Sequence, residues 1–360
     1  MQDAGRIAEL GRGITLLAVG TAGALAGHLA GIPAGIIVGA IVASGAYQLL
    51  LGSCGPWQKW YGRGGRLLLG TTIGAAFGMD VIAPLKAALL PMAGLIVALI
   101  AVGLFLGWVL HLVTDLDPAT ALISTIPGGL PAMGALAEDV GADATVVAAI
   151  HFARLTTILI VVPPLIASLT DGATQGGAVT APSVAVSMGP TLAALSLGLL
   201  SGFLALKAHI PTGDLVGPIL VVGGFSLLGA GLGPMPAGFQ QAAVLLIGVS
   251  IGAQTSRDSL RKLKQVALPA AIIIAVLIAV GLLLGWGLLL VTPLDTVTAL
   301  LSGVPGGAST MPIIAQELGG DIRLVAALHL TRQLVMLAVI PAVISSVARD
   351  RRRRRSVSTG

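Results

Sequence analysis

The chain reads as an all-α integral membrane protein made of two inverted repeats, each with about five transmembrane helices and one re-entrant hairpin. Composition, an internal duplication and the placement of basic residues lead to this class. Apolar residues fill 56% of the 360 positions, charged residues only 10%, and mean hydropathy is +0.99. A soluble domain carries roughly 25% charge, so most of this chain must face lipid or other apolar helices. The segment Asp117–Met133 returns 178 residues later as Asp295–Met311, with nine of seventeen positions identical. The register runs on through Asp143/Asp321, His151/His329, Arg154/Arg332 and Pro163/Pro341, and back through Trp108/Trp286, Lys86/Lys264, Gly70/Gly248 and Pro33/Pro211. Duplicated apolar chains of this kind are the plan of many membrane transporters.

Apolar runs broken by Gly, Pro or charge place the elements in order. In the first copy, spans are expected near Ile14–Ala30, Ile32–Gly52, Arg66–Met79, Leu85–Val113 and Asp143–Leu169. In the second they fall near Thr191–Lys207, Ile210–Leu232, Gln241–Thr255, Ala267–Val291 and Asp321–Val347. Several approach the ~20 residues a bilayer requires. The fifty glycines suit helices whose backbones approach closely in a membrane. Between span four and span five of each copy lies a segment of another kind, Pro118–Glu138 and Thr296–Gln316, with Pro-Gly-Gly at its centre. Proline removes a donor and two glycines favour a turn. Each leg, about ten residues at 1.5 Å, reaches only half of a bilayer, so a hairpin that enters and leaves on one side is expected.

The domain reading is a first membrane repeat over 14–169, a polar linker over 170–190, a second repeat over 191–347 and a basic tail over 348–360. Lys59, Arg63 and Arg66 are expected in the second loop of copy one, whose counterpart from Pro234 to Gln241 has no charge. Arg257, Arg261, Lys262 and Lys264 crowd the third loop of copy two, where copy one has only Lys86. Basic loops lie inside, so corresponding loops face opposite sides. That gives ten spans, inverted copies and both termini in the cytoplasm, with the chain in the cytoplasmic (inner) membrane. Arg351–Arg355 directly follow an apolar segment and read as a cytoplasmic anchor, not a nucleic-acid site. Met1–Gly13 lacks the pattern of a signal peptide, and Cys54 is alone, so no internal disulfide can form. Trp57, Lys59, Trp60, Tyr61 and Arg63 form an aromatic and basic stretch typical of the headgroup level.

The chemistry concentrates at two constellations. His151 and Arg154, three apart on one helix face, are repeated by His329 and Arg332. An arginine at midplane depth is costly and must face protein or a watery cavity. It either holds an anion in its planar fork or locks the hairpin by capping carbonyls or pairing with Asp139 or Glu317. The second constellation is the hairpin tips, Pro127, Gly128 and Gly129 with Pro305, Gly306 and Gly307. A new half-helix beginning there aims free donors and a positive dipole end at the midplane. Ser309 and Thr310 are candidate caps where the first copy has Pro131, and Ser124 and Ser302 are candidate hydroxyl contacts. Glu138, Asp139 and Glu317 close the second legs and are candidates for coupling or gating. Asp143 and Asp321 stand where a helix begins, as N-caps do.

The paired Pro-Gly-Gly segments and paired His-x-x-Arg helices resemble those of the AbrB-type membrane protein family, over roughly residues 14–347. Members carry labels such as ammonia monooxygenase or regulator of gene expression. In plan the chain is also similar to glutamate-symporter-type carriers, an analogy of arrangement only. The monooxygenase label implies clustered metal ligands, yet His28, His111, His151, His209 and His329 show no metal-motif spacing. Neither a Ser-His-Asp set nor a Walker-type loop is present. The expectation is therefore a carrier and not an enzyme, with no cofactor or metal and with H+ or Na+ as a coupling ion. Its expected partners are a small anionic solute, the bilayer and a second copy in a homodimer, without nucleic acid. The alternative is a membrane regulator or solute sensor acting through a partner.

Overall fold

Helix ends in this chain are written by acidic caps and left-handed turns, and they divide it into fifteen helices among the described residues. The computed structural model describes residues 2–52, 55–128, 130–170, 188–210, 212–230, 232, 235–336 and 338–339. Cys54, Gly129, nearly all of the 170–190 linker, Pro341 and the 348–360 tail lie outside them, as does the side chain of Pro131. The first copy comprises α1 (Gln2–Leu29), α2 (Gly35–Leu51), α3 (Trp57–Ala75), α4 (Ile82–Val113), α5 (Pro118–Thr125), α6 (Leu130–Asp139) and α7 (Ala144–Leu169). The second comprises α8 (Met188–Lys207), α9 (Gly213–Leu227), α10 (Ala237–Gly252), α11 (Arg257–Gln265), α12 (Ala267–Val291), α13 (Thr296–Gly303) and α14 (Met311–Glu317), then α15 over residues 322–336.

Among the described residues five helices are long and apolar enough to cross a membrane, α1, α4, α7, α8 and α12, or six if α10 and α11, bent by 64°, count as one broken span. Ten such helices were expected. Length and charge account for part of the difference: α2 and α9 are short apolar helices of 17 and 15 residues, and the first half of α3 carries the basic cluster, while the C-terminal part of the expected span Asp321–Val347 lies outside the described residues. α4 shows why lipid must surround the bundle. One face is buried at Ala88, Met92, Leu95, Leu99, Gly103, Leu106 and Leu110, while the opposite face exposes Leu90, Val97, Phe105 and Trp108. A helix apolar on every side belongs in a membrane or a large core.

Two expected loops are helical. Lys59, Arg63 and Arg66 belong to α3, because the small residues Gly62 and Gly65 seat that stretch on Ser250 and Ile247 of α10. Arg257–Gln265 forms its own helix, capped where Ser256 accepts from the Ser259 amide. Its basic face is exposed at Arg257, Arg261 and Lys264.

The first three helices of each copy interleave. Gly20 of α1 meets Val249 of α10, and Gly198 of α8 meets Thr71 of α3 at the matching positions. Likewise Gly248 lies on Ile37 and Ala40 of α2, and Gly70 on Leu215 and Pro218 of α9. Each copy therefore packs its third helix on the other copy's second. The registers set directions: Gly62 and Gly65 of α3 meet Ser250 and then Ile247 of α10, so these two run antiparallel. Gly248 and Gly252 meet Ile37 and then Ile41 of α2, so α2 and α10 run parallel. α3 and α9 run parallel by the same test, through Gly70 on Leu215 and Gly74 on Val222. One buried ion pair crosses this layer, with Arg66 Nε and Nη2 donating to Asp214 at 3.0 and 2.6 Å.

The remaining helices build the hairpins. Asp117 and Asp295 cap α5 and α13 by accepting from the amides of Thr120 and Thr298. The returning chain then closes on its own start: the amides of Asp143 and Asp321 donate to the hydroxyls of Thr120 and Thr298, both at 2.8 Å. Each hairpin thus ends at the level where it began. Asp143 also accepts from Lys262 Nζ at 2.6 Å, tying α7 to α11. That hydrogen bond, foremost, holds the Asp143 carboxyl below its usual range. A depressed folded-state pKa contributes stability above the ordinary carboxylate value, lost as pH falls through the folded one. Asp143→Asn should abolish the acid-side change in mobility of a spin label on α11, which wild type should show below about pH 4.

Close helix contact predicts a sharp contrast between two glycines of α10. A β-carbon at Gly252 would collide with Ser44 Oγ and the Ile41 carbonyl oxygen, whereas at Gly238 it would meet nothing. Gly252→Ala should cost about 1–3 kcal/mol as overpacking, and Gly238→Ala should be neutral or slightly stabilising in detergent unfolding.

Candidate functional site

Arg154 in α7 and Arg332 in α15 are 5% and 4% exposed, and a guanidinium that deep must find acceptors. The acceptors are the carbonyls at the end of each first hairpin leg. A helix leaves its last carbonyls without intrahelical partners, and the prolines after α5 and α13 supply no donor. Arg332 Nη1 donates to the carbonyls of Ser302 at 3.5 Å and Val304 at 3.0 Å, and Nη2 to that of Gly306 at 3.0 Å. Arg154 donates to the matching carbonyls of Ile126 at 3.4 Å and Gly128 at 3.5 Å, and to Thr125 at 3.4 Å in place of the counterpart of Ser302. Each Nη2 also donates to the neighbouring histidine, Nδ1 of His151 or His329, at 2.8 Å.

Those histidines complete the cap. A guanidinium only donates, so Nδ1 accepts and the ring proton sits on Nε2. Nε2 then donates to the Ile123 carbonyl from His151, and to the Leu301 carbonyl from His329, each at 2.9 Å. Both ring nitrogens are engaged in both copies. A proton added to Nδ1 would face the guanidinium head-on, so this geometry uses the rings as spacers, not as titrating groups.

Carboxylates stay away from this centre. Among the described residues no acidic side chain forms an ion pair with either arginine. Glu138 and Asp139 are exposed at the far end of α6, about 15 Å along a ten-residue leg from the tip. Glu317 ends α14 and accepts from the Ala34 amide, which caps α2. Of the two locks the sequence allowed, carbonyl capping is the one formed and pairing with Asp139 or Glu317 is not, because the second legs carry their acids away from the bend.

The other candidates divide. Pro127 and Gly128 of the first tip and Pro305, Gly306, Gly307 and Ala308 of the second meet around a cavity of ≈ 50 Å³, measured as the space the centre of a water-sized sphere can reach. His329, Arg332, Gln333 and Met336 complete its wall. It has room for on the order of three to five waters. Arg154 lies near enough for its charge to bear on Arg332. Ser124 and Ser302 are not in the wall; their hydroxyls donate back to the carbonyls of Thr120 and Thr298 at 2.6 Å. Thr310 does not cap α14 with its side chain, because it already has helical backbone angles, and its hydroxyl donates to the Gly307 carbonyl at 3.1 Å. Ser309 forms no such cap either.

Gln333 and Met336 were not among the sequence candidates. The signal for Gln333 was present: it breaks the repeat where the first copy has Leu155. No group of three or more His, Cys, Asp or Glu able to hold a metal occurs among the described residues.

Fold and site together define a polytopic, all-helical membrane protein with paired hairpins whose tips meet at a cation-framed cavity. The family described as "Transition state regulatory protein AbrB" matches residues 2–169 and 37–348, and the chain belongs to that family. It is 25% identical over 295 residues to the Bacillus subtilis (strain 168) protein named "Uncharacterized protein YhjN", covering 77% of this chain and 76% of that one. It is 28% identical over 247 residues to the Escherichia coli (strain K12) protein named "Putative regulator AbrB", covering 66% of this chain and 68% of that one. No solved structure matches.

Replacing Arg332 by lysine tests the capping role. One ammonium cannot span three carbonyls and an imidazole, so Arg332→Lys should cost about 1.5–3 kcal/mol. Amide hydrogen exchange over residues 303–310 should quicken with it. Unchanged exchange there would contradict the lock.

Proposed function

We propose that this protein is a secondary carrier of a small organic anion, a carboxylate above all, in the cytoplasmic membrane. Its site is the cavity between the hairpin tips, alternately exposed to the two sides. The observation that carries this reading is a pair of buried arginines with no acidic partner among the described residues, beside a cavity able to hold a few non-hydrogen atoms. Two uncompensated cations in a low-dielectric interior favour an anion between them. Their terminal donors are spent on carbonyls, so the guanidinium groups act through their field. Direct contacts come from tip backbone amides that donate to no described residue, those of Gly307 and Ala308 above all.

An inverted arrangement of the copies supports alternating access. The contacts that put α3 antiparallel to α10, α2 parallel to α10 and α3 parallel to α9 support that arrangement. The basic clusters support a common cytoplasmic side. Ser250 at the end of α10 donates to the Gln58 carbonyl at the start of α3, and Arg257 donates to the Leu49 carbonyl at the end of α2. Tyr61 donates to the Gly13 carbonyl, which brings the N-terminal half of α1 to that same end. Lys59 and Arg63 therefore share one face of the bundle with Arg257–Lys264. Coupling to H+ or Na+ and assembly as a homodimer belong to this proposal.

The printed names of the family and of the Escherichia coli relative favour a second reading, a membrane regulator or solute sensor. Removing residues 349–355 separates the two, since a sensor would lose its output and a carrier would still transport.

Ala308→Phe, which fills the space between the tips, should lower carboxylate uptake into proteoliposomes by at least about tenfold while the protein stays folded. Uptake at the wild-type rate in that variant would remove the tip cavity from the mechanism, and a wild-type protein that moves no small anion would end the carrier reading.

A further inference from the structure

Three residues of the second copy that line the cavity, Ala308, Gln333 and Met336, stand where the first copy has Leu130, Leu155 and Ile158, and of these exchanges only Gln333 brings in a polar group. α15 places Gln333 where α7 has Leu155. Leu155 Cδ1 packs 3.7 Å from the point where a β-carbon on Gly307 would sit, so the first copy seals that flank with an apolar group. Gln333 lines the cavity, and its Nε2 donates to Thr212 Oγ1 at 3.2 Å. Thr212 begins α9 in the left-handed conformation, φ 52°, so the amide spans from the solute space to a scaffold helix end. The carbonyl oxygen and second N–H of Gln333 have no other partner among the described residues. At the facing tip, the backbone amides of Gly307 and Ala308 likewise donate to no described residue.

The terminal donors of Arg332 are occupied, which leaves two kinds of group for a solute. One is the pair of tip amides, bare donors in a positive field that fit a carboxylate. The other is a neutral amide, with a donor and an acceptor both open. A carboxylate only accepts and has no use for the Gln333 carbonyl, whereas a hydroxyl beside the carboxylate can donate to it. Resting on the carrier reading, we propose that the site takes a short 2-hydroxy acid, its carboxylate at Gly307 and Ala308 and its hydroxyl against Gln333, the specificity-determining residue. The cavity limits this acid to about two to four carbons. A site built to hydrogen-bond a hydroxyl rejects the analogue that lacks it far more strongly than an apolar pocket rejects a missing methylene.

Lactate and propionate differ by that hydroxyl alone, so radiolabelled uptake of each into proteoliposomes of the full chain is the test. Wild type should favour lactate by about tenfold or more. Gln333→Leu, which restores the residue of the first copy, should erase that ratio, with lactate uptake falling to the level of propionate uptake. Gln333→Met, closer in volume, serves the same purpose if the leucine variant does not fold. Equal lactate-to-propionate ratios in wild type and variant, or a wild-type preference for propionate, overturn this inference and leave the carrier reading standing. Failure of wild type to take up any small anion overturns both.

Discussion

Everything at the centre of this protein follows from the carbonyl groups that two short helices leave bare in an apolar interior. α5 and α13 stop at Thr125 and Gly303, two residues before Pro127 and Pro305, after eight residues each, about 12 Å and less than half the span of a bilayer core. Their last carbonyls have no water to turn to, and each unsatisfied group there would cost several kcal/mol. The chain answers with a second helix carrying histidine and arginine three residues apart. Histidine takes the carbonyl one turn down, and arginine takes those at the bend and passes a hydrogen bond to the histidine. The bend, the cation and the neighbouring helix thus form one unit.

A functional consequence comes with this solution. Charge is imported to satisfy dipoles, so each copy carries a formal cation at the bundle centre whose donors are already engaged. In the proposed carrier, the field of these cations attracts an anion, and neighbouring backbone amides and Gln333 read its shape. Copy two makes its cap more tightly, at 3.0 Å where copy one makes 3.4 and 3.5 Å, and copy two supplies most of the cavity wall. In the proposed carrier the near-symmetry supplies the frame, and the departures from it supply discrimination.

The amino-acid sequence disclosed the parts of this plan that repeat. The 178-residue register announced two hairpins, two His-x-x-Arg faces and their capping aspartates, because each depends on local spacing. What it withheld depends on tertiary partners. Lys59 to Arg66 looked too polar for a helix, yet glycine contacts with α10 continue α3 through them. Arg257–Gln265 looked like a basic loop, although its Ser256 cap and amphipathic face make it a helix. Carbonyl capping by the arginines was one of the readings the sequence allowed, and only the tertiary structure chooses it over a salt bridge to Asp139 or Glu317, since carbonyls carry no mark in a sequence. Exchange of second and third helices between copies left only a trace, the matching glycines at 20 and 198 and at 70 and 248.

The central claim is that the two hairpin tips face each other across a small shared cavity. Cross-linking tests it directly, with single cysteines at Gly128 and Ala308 in a chain whose Cys54 is alanine. Both positions line the same space, so a short bis-maleimide reagent should join the two cysteines within one chain and lock 128 to 308. If each thiol reacts fully with a monofunctional maleimide but no internal cross-link forms, the tips do not meet and the account fails.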